Sequence, residues 1–378
     1  MKNEVKIIFH IDLNAFFCSC AEMKDPYLKD KVFVVGGSST SRKGVISTSS
    51  YAARKLGIRS AMSIHEALHI YPKLIIVPLD FSLYQKQAKV FFDFLRKYSK
   101  LVLEASIDEA YLDMTEASKK RHPLELAEEI QTVLFNDHRL PCSIGIAPTL
   151  FLAKMASDMQ KPLGITVLRR KDVVKKLFPL PIKDMYGIGK KTYPKLEALG
   201  IHTIGDFTKQ ENQPKILSVM SESSYHSYLE HIMGKSTDVI DLRKYAVPKS
   251  ISNETTLHYV MDEPEAIFKV ILEQLEISHR RLLDEDMLVK TVGLKFKTDQ
   301  FESISRGSSF QDYTDDIALI QSALEGLFEQ TYDRKPLRLV GVFFSSLIQR
   351  RDMKLDINLF NYQEMSKRIE AMYHKKTS

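Results

Sequence analysis

The chain reads as an α+β protein of several domains, built around a mixed or antiparallel sheet with helices on one face. Three features point there. Apolar strand-like runs alternate with helical patterns through residues 5–168, yet two of the strands, Leu101–Leu103 and Ala110–Leu112, form a hairpin that a doubly wound parallel sheet would not contain. A stretch of short helices without strands follows, from about Val173 to Gly234. Four further strand-like runs with two long helices complete the chain. At 378 residues and 44% hydrophobic content there is material for roughly two to four domains with ordinary cores.

In order, Val5–Asp12 is an apolar run ending in an acid, with a helical pattern from Asn14. Lys31–Val35 is a second strand, closed by Gly36-Gly37. Gly44–Gly57 runs from strand into a short helix, with Thr48, Tyr51 and Arg54 about its first turns. A helix start beside an arginine suits a phosphate group, although Thr48 as a cap and Arg54 as a solvated residue would look the same. Leu83–Lys97 and Leu124–Phe135 have helical spacing, and Cys142–Ala147 is a strand. Leu150–Met159 is a helix bearing Lys154, broken by Gln160-Lys161-Pro162-Leu163-Gly164. Two lysines near one site could neutralise a triphosphate. In the helical stretch, Gly187-Ile188-Gly189-Lys190-Lys191 joins two expected helices through a Gly-x-Gly hairpin, a form suited to gripping a nucleic-acid backbone without reading its sequence. Asp238–Val247 reads as a linker. Beyond it, Ser250–Leu257, Val289–Lys297, Phe301–Arg306 and Arg338–Ser345 are expected strands, with helices near Pro264–Leu283 and Asp315–Thr331. Lys290, Lys295, Lys297 and Arg306 would give that sheet a basic face.

Chemistry concentrates in Ser106-Ile107-Asp108-Glu109-Ala110-Tyr111, where two adjacent carboxylates sit between apolar strands. Like charges so placed repel and raise each other's pKa unless a cation intervenes. If the Val5–Asp12 strand lies alongside, Asp12 joins them with the Leu13 carbonyl next to it. Such an oxygen-only set suits hard divalent ions such as Mg²⁺. An acid at a strand end can equally cap a helix or face water.

The net charge of +6 points mildly to a polyanionic partner. Cys18, Cys20 and Cys142 lack the companions of a zinc site and read as reduced, buried thiols. No apolar run approaches a membrane span, and no signal core follows the N-terminus, so a cytoplasmic location is expected.

Together these segments resemble the Y-family translesion DNA polymerases, most closely the bacterial DNA polymerase IV type. His10–Phe17, Gly44–Met62 with its Tyr-x-x-Arg, Ser106–Asp113 and Phe151–Gly164 occur in family order, and the resemblance spans about residues 5 to 348. It implies a right-hand architecture: palm from 1–20 and 78–168, fingers 21–77, helical thumb 169–237, a linker 238–247, an α+β little finger 248–348 and a tail 349–378. On the resemblance, Asp12, Asp108 and Glu109, with the Leu13 carbonyl, hold two Mg²⁺ ions. Tyr51, Arg54, Lys161 and Thr48 contact the deoxynucleoside triphosphate, and Phe17 is the gate that excludes a ribose 2′-hydroxyl. Gly187, Gly189, Lys190, Lys191 and the little-finger cations grip primer-template DNA. The expected product is templated, low-fidelity synthesis by a monomer without a proofreading exonuclease.

Two departures stand out. Tyr186 occupies a position where the family hairpin usually begins with proline. Asp356-Ile357-Asn358-Leu359-Phe360 resembles a sliding-clamp peptide that lacks its glutamine, and Leu359 and Phe360 could equally pack the tail. A silent DNA-bound scaffold would not need all three acids, and a metal-dependent nuclease would not need Tyr51, Arg54 and Lys161.

Overall fold

The computed structural model describes residues 5–37, 44–236, 239–242 and 247–353. Leu359, Phe360 and the rest of the expected clamp peptide lie outside the described residues, as do positions 238 and 243–246 of the expected linker. The chain divides into two compact units, Met1–Leu242 and Arg243–Ser378.

In the first unit the strands are β1 (Ile8–Leu13), β2 (Phe33–Gly36), β3 (Ile46–Ser49), β4 (Ile75–Val77), β5 (Val102–Glu104), β6 (Glu109–Asp113), β7 (Cys142–Ala147) and β8 (Ile165–Val167). The larger sheet has the order β5-β6-β1-β7-β8. Its pairs are antiparallel except β7–β8, which run parallel. All six residues of β1 are buried, because this strand is covered on both faces. Phe9, Ile11 and Leu13 pack with Phe91, Phe92, Leu126 and Ile130 of the helices Phe81–Leu95 and Pro123–Asn136. Ile8 belongs to the opposite core, with Phe151, Leu152 and Met155 of the helix Leu150–Met159. Helices on one face were expected, and the structure has them on both. The run Ile8-Phe9-His10-Ile11 is apolar at both parities, as a doubly covered strand requires.

That alternation also decides where the polar residues of β1 go. His10 and Asp12 share the parity of Ile8, so they face the helix Leu150–Met159. The helix crosses close over β7 at Gly145, where a Cβ would collide with the Ala153 carbonyl and the Ser157 amide. A glycine there lets the helix backbone approach the sheet and brings Lys154 over the end of β1.

The smaller sheet, β3-β2-β4, pairs β2 with β3 antiparallel and with β4 parallel. Val34, Ile46, Ala53, Ile58 and Ile64 form its own core. The three-residue strands β4 and β8 are too short for their periodicity to be read in advance. Residues 173–232 are helical as expected, in short pieces around Leu196, Ile204, Phe207, Ile216 and Tyr225.

The second unit has β9 (Ser250–Met261), β10 (Met287–Thr298), β11 (Ser303–Thr314) and β12 (Leu337–Gln349) in the antiparallel order β11-β10-β12-β9. Helices Pro264–Asp284 and Ile317–Thr331 pack Ile267, Ile271, Leu275, Ile320 and Leu324 on Val292, Leu294, Phe296, Val340 and Phe344. The expected strand Phe301–Arg306 is displaced. Phe301 lies in the β10–β11 turn with φ of 65°, and the strand begins at Ser303 and runs on to Thr314. The stretch beyond Arg306, Gly307-Ser308-Ser309-Phe310-Gln311-Asp312-Tyr313-Thr314, has no apolar alternation to reveal it.

Candidate active site

At the end of β1 the chain turns through Ala15, whose left-handed φ of 46° and ψ of 48° redirect it into the helix Phe16–Lys24. The Leu13 amide donates to the Asp108 carbonyl at 3.0 Å, pinning the β5–β6 turn against the end of β1. Asp12 and Glu109 are direct partners across β1 and β6, so both side chains leave the same face. Asp108 sits one residue earlier in the turn, where the Ser106 hydroxyl donates to its carboxylate at 2.6 Å.

Ammonium groups supply the compensating charge. Lys154 Nζ lies 2.7 Å from Glu109 Oε1 and 3.2 Å from Asp12 Oδ2, and Lys161 Nζ lies 2.6 Å from Asp12 Oδ2. Burial alone would raise Asp12, but a hydrogen bond with Glu109 and the two lysines outweigh it and hold its carboxyl well below the carboxylate range. Burial and that same hydrogen bond push Glu109 up to about 7. Burial raises Asp108 as well. Lys154 is held above its ordinary value: burial acts against it, and Asp12, Asp158 and Glu109 together overcome burial.

Among the described residues no group of three His, Cys, Asp or Glu side chains closes on a single point. The donor set still fits a hard divalent cation. It consists of buried Asp12 and half-buried Asp108 and Glu109, oxygen donors throughout, with Asp12 and Glu109 in register across β1 and β6 and lysine ammonium groups already beside them.

Three further buried residues surround the carboxylates, and the sequence reading had assigned them no role. His10 is fully buried, with Nδ1 2.8 Å from the Ser157 hydroxyl. Ser157 donates to the Lys154 carbonyl at 2.8 Å, so it accepts from His10 Nδ1–H, and Nε2 faces Glu109 at 3.8 Å as an unprotonated nitrogen. Burial, then Lys154, lowers the imidazole to about 3, which keeps it neutral. Asn14 donates to Ser143 Oγ at 3.0 Å and accepts from the Leu163 amide at 2.8 Å, tying the loop that carries Lys161 to β1 and β7. The available signal was a polar residue at alternate positions of an otherwise apolar strand.

Phe17 is half-buried and stacks on Tyr84 with ring centroids 4.1 Å apart and planes 15° apart. Phe81 stands edge-on at 6.3 Å. Arg54 lies over the Tyr51 ring at 4.8 Å and donates from Nε to the Ser49 carbonyl at 3.0 Å. The Tyr51 hydroxyl is buried without a partner, and both Lys161 and Asp12 act on it electrostatically. Thr48 is paired with Val35 within β3 and does not cap the helix Tyr51–Lys55. Ser50 does, accepting from the Ala53 amide at 3.2 Å, because it is the first residue beyond the strand.

The Gly-x-Gly element joins a single 3₁₀ turn, Ile182–Asp184, to the helix Tyr193–Ala198, where two helices were expected. Gly187 has φ of 89°, and a Cβ there would lie 2.6 Å from the Tyr228 hydroxyl. Gly189 has open space about it, and Lys190 and Lys191 are exposed.

In the second unit the expected basic cluster does not share one face. Lys295 and Lys297 have the parity of Thr291 and Gly293, away from the helices, and Lys295 pairs with Glu254 at 2.5 Å. Arg306 is the strand partner of Leu294, a core residue, so it belongs to the helix side. Lys290 sits at a β-bulge, with Nζ 5.8 Å from the Tyr313 ring centroid. Which face each cation takes is set by cross-strand register and by the bulge between Val289 and Thr291, neither of which the clustering of basic residues in the sequence reveals.

Residues 11–158 match the model of the impB/mucB/samB family, 248–357 match that family's C-terminal domain, and 170–201 match the IMS family HHH motif. DNA polymerase IV 1 of Halalkalibacterium halodurans is 37% identical over 364 residues, covering 96% of this chain and 87% of the relative. DNA polymerase IV 1 of Bacillus subtilis is 35% identical over 368 residues, covering 97% and 88%. Among solved structures, a Y-family DNA polymerase chimera of Dbh and Dpo4 superposes with a TM-score of 0.80 at 25% identity, over 90% of this chain and 99% of the other. An insertion ternary complex of Dbh DNA polymerase gives 0.66 at 25% identity, over 90% and 99%.

Proposed function

This chain belongs to the Y-family of translesion DNA polymerases, of the DNA polymerase IV type, and on that footing we propose how its residues perform templated nucleotidyl transfer. The observation that carries the proposal is the Asp12–Glu109 pair, opposed on adjacent strands with two lysine ammonium groups between and beside them.

Asp12, Asp108 and Glu109, with the Leu13 carbonyl, would hold two Mg²⁺ ions. Bound there, the ions would lower the pKa of a primer 3′-hydroxyl and offset charge on the triphosphate. The chain's own residues do the rest. Lys161 and Arg54 neutralise and orient the triphosphate, Tyr51 offers it a free hydroxyl, and Thr48 borders it from β3. Lys154 shields Asp12 and Glu109 from each other while the incoming charges assemble. Phe17, held flat by Tyr84, lies under the sugar. The test is primer extension by the full chain: with Mg²⁺ and all four deoxynucleotides it should add templated residues, and chelation should stop it. A protein that degrades the primer, or only binds it, would overturn the reading.

The domain division proposed from sequence assigns palm, fingers and thumb to the first unit and the little finger to the second. On the side away from its helices, the second sheet presents Ser303, Ser305, Gly307 and Ser309 of β11 beside Lys295 and Lys297. Hydroxyls and ammonium groups on a sheet with few large side chains suit a phosphate backbone. Lys190 and Lys191 would add to that grip. Replacing both with alanine should weaken DNA binding about equally for all sequences and reduce the slope of log K against log salt by about 1 to 2, read by fluorescence anisotropy across a salt series. Leu359 and Phe360 are proposed as sliding-clamp contacts on sequence grounds alone. Among the described residues no helix is long and apolar enough to cross a membrane.

A further inference from the structure

Asp158 belongs to none of the groups assigned above, yet it touches both lysines. Its Oδ2 lies 3.3 Å from Lys154 Nζ, one helical turn back, and its Oδ1 lies 2.6 Å from Lys161 Nζ, just past the helix end. The lysines in turn reach Asp12 and Glu109, so five charged side chains form one continuous network, Glu109–Lys154–Asp12–Lys161–Asp158, closed again by the Asp158–Lys154 contact. Within it the anions differ in depth. Asp12 is 10% exposed at its side chain and Glu109 26%, whereas Asp158 is 42% exposed, at the rim.

We propose that Asp158 is a positioning residue, the outer anchor that keeps Lys154 and Lys161 at the site as exchangeable counter-ions of Asp12 and Glu109. The inference rests on the reading of Asp12 as a cation-binding carboxylate. In the cation-free protein the two ammonium groups neutralise the buried acids. A divalent cation that binds Asp12 competes with Lys161 and Lys154 for the same oxygen. The displaced ammonium groups repel each other, and without another anion they would move apart into solvent. Asp158 supplies that anion from outside the proposed metal set. It thereby lowers the competition the cation meets and leaves the lysines pointed at the space a triphosphate enters. A plain surface i,i+4 pair would do neither.

The test uses full-chain protein and two readouts. The first is Mn²⁺ binding without DNA or nucleotide, followed by the electron paramagnetic resonance signal of free Mn²⁺. The second is steady-state primer extension resolved into KM for the deoxynucleotide and kcat. Asp158→Asn, a neutral isostere at a partly exposed position, should weaken Mn²⁺ binding about fivefold and raise KM about fivefold, with kcat within about twofold of the parent. Asp158→Glu should restore both. Lys161→Met should bind Mn²⁺ more tightly, because a competing ammonium is gone. Unchanged Mn²⁺ binding and KM in Asp158→Asn would overturn the inference, as would weaker Mn²⁺ binding in Lys161→Met. Asp12→Asn separates the role of Asp158 from that of the carboxylate it supports. If it loses Mn²⁺ binding while Asp158→Asn behaves like the parent, only the Asp158 assignment fails; if it binds Mn²⁺ normally, the carboxylate reading fails with it.

Discussion

Asp12→Asn is expected to lower primer extension by at least about a thousandfold while the protein stays folded and bound to DNA. The asparagine keeps the volume of the buried side chain and can still pair with a lysine, but it removes the anion on which Lys154, Lys161 and the partner carboxyl of Glu109 converge. Stability should change by little more than about 2 kcal/mol, since Lys154 keeps Glu109 and Asp158 and Lys161 keeps Asp158. Asp108→Ala should fail in extension to a similar degree with still less effect on folding, because Asp108 lies in a turn and its partner is the neighbouring Ser106 hydroxyl. Gel-based extension beside anisotropy with a labelled primer-template separates the two properties. Near-normal extension by either variant would remove the proposed role of that carboxylate.

The second large effect concerns sugar choice. Phe17→Ala should raise ribonucleotide incorporation relative to deoxynucleotide by at least about tenfold, with deoxynucleotide extension still measurable. The ring does not act alone. It lies parallel to Tyr84 at 4.1 Å, and Phe16 and Phe81 border the same cluster, so its plane is fixed before any nucleotide arrives. Loss of a half-buried, stacked phenylalanine should also cost about 2 kcal/mol of stability, visible as a lower melting temperature. Competition between matched ribo- and deoxynucleotide measures the selectivity, and an unchanged ratio would withdraw the gate assignment.

How far the sequence led can be traced residue by residue. The meeting of Asp12 with Glu109 was readable because acids interrupt two apolar runs whose alternation must match across a sheet. The lysines were visible as lysines, but their partners were not. Which side chain faces Asp12 depends on where the helix Leu150–Met159 crosses β7, and that is set by the backbone contact at Gly145, a tertiary event with no local period. His10 and Asn14 escaped for the same reason: a buried polar residue declares itself only when its hydrogen-bond partner from another element is known. In the second unit the cations were visible as cations, but the face Arg306 takes follows from its pairing with Leu294 across β10 and β11, a register that no local run of residues reveals.

The six residues of β1 divide their labour by parity, with Phe9, Ile11 and Leu13 given to one core and Ile8, His10 and Asp12 to the other side. A single codon gained or lost between Ile8 and Asp12 would therefore do more than shift the acid along the strand. It would exchange the two sets, thrusting an anion into a phenylalanine-lined interior and stranding greasy side chains among the lysines. Point substitutions at this strand can be graded in their harm, whereas length changes within it have no mild form.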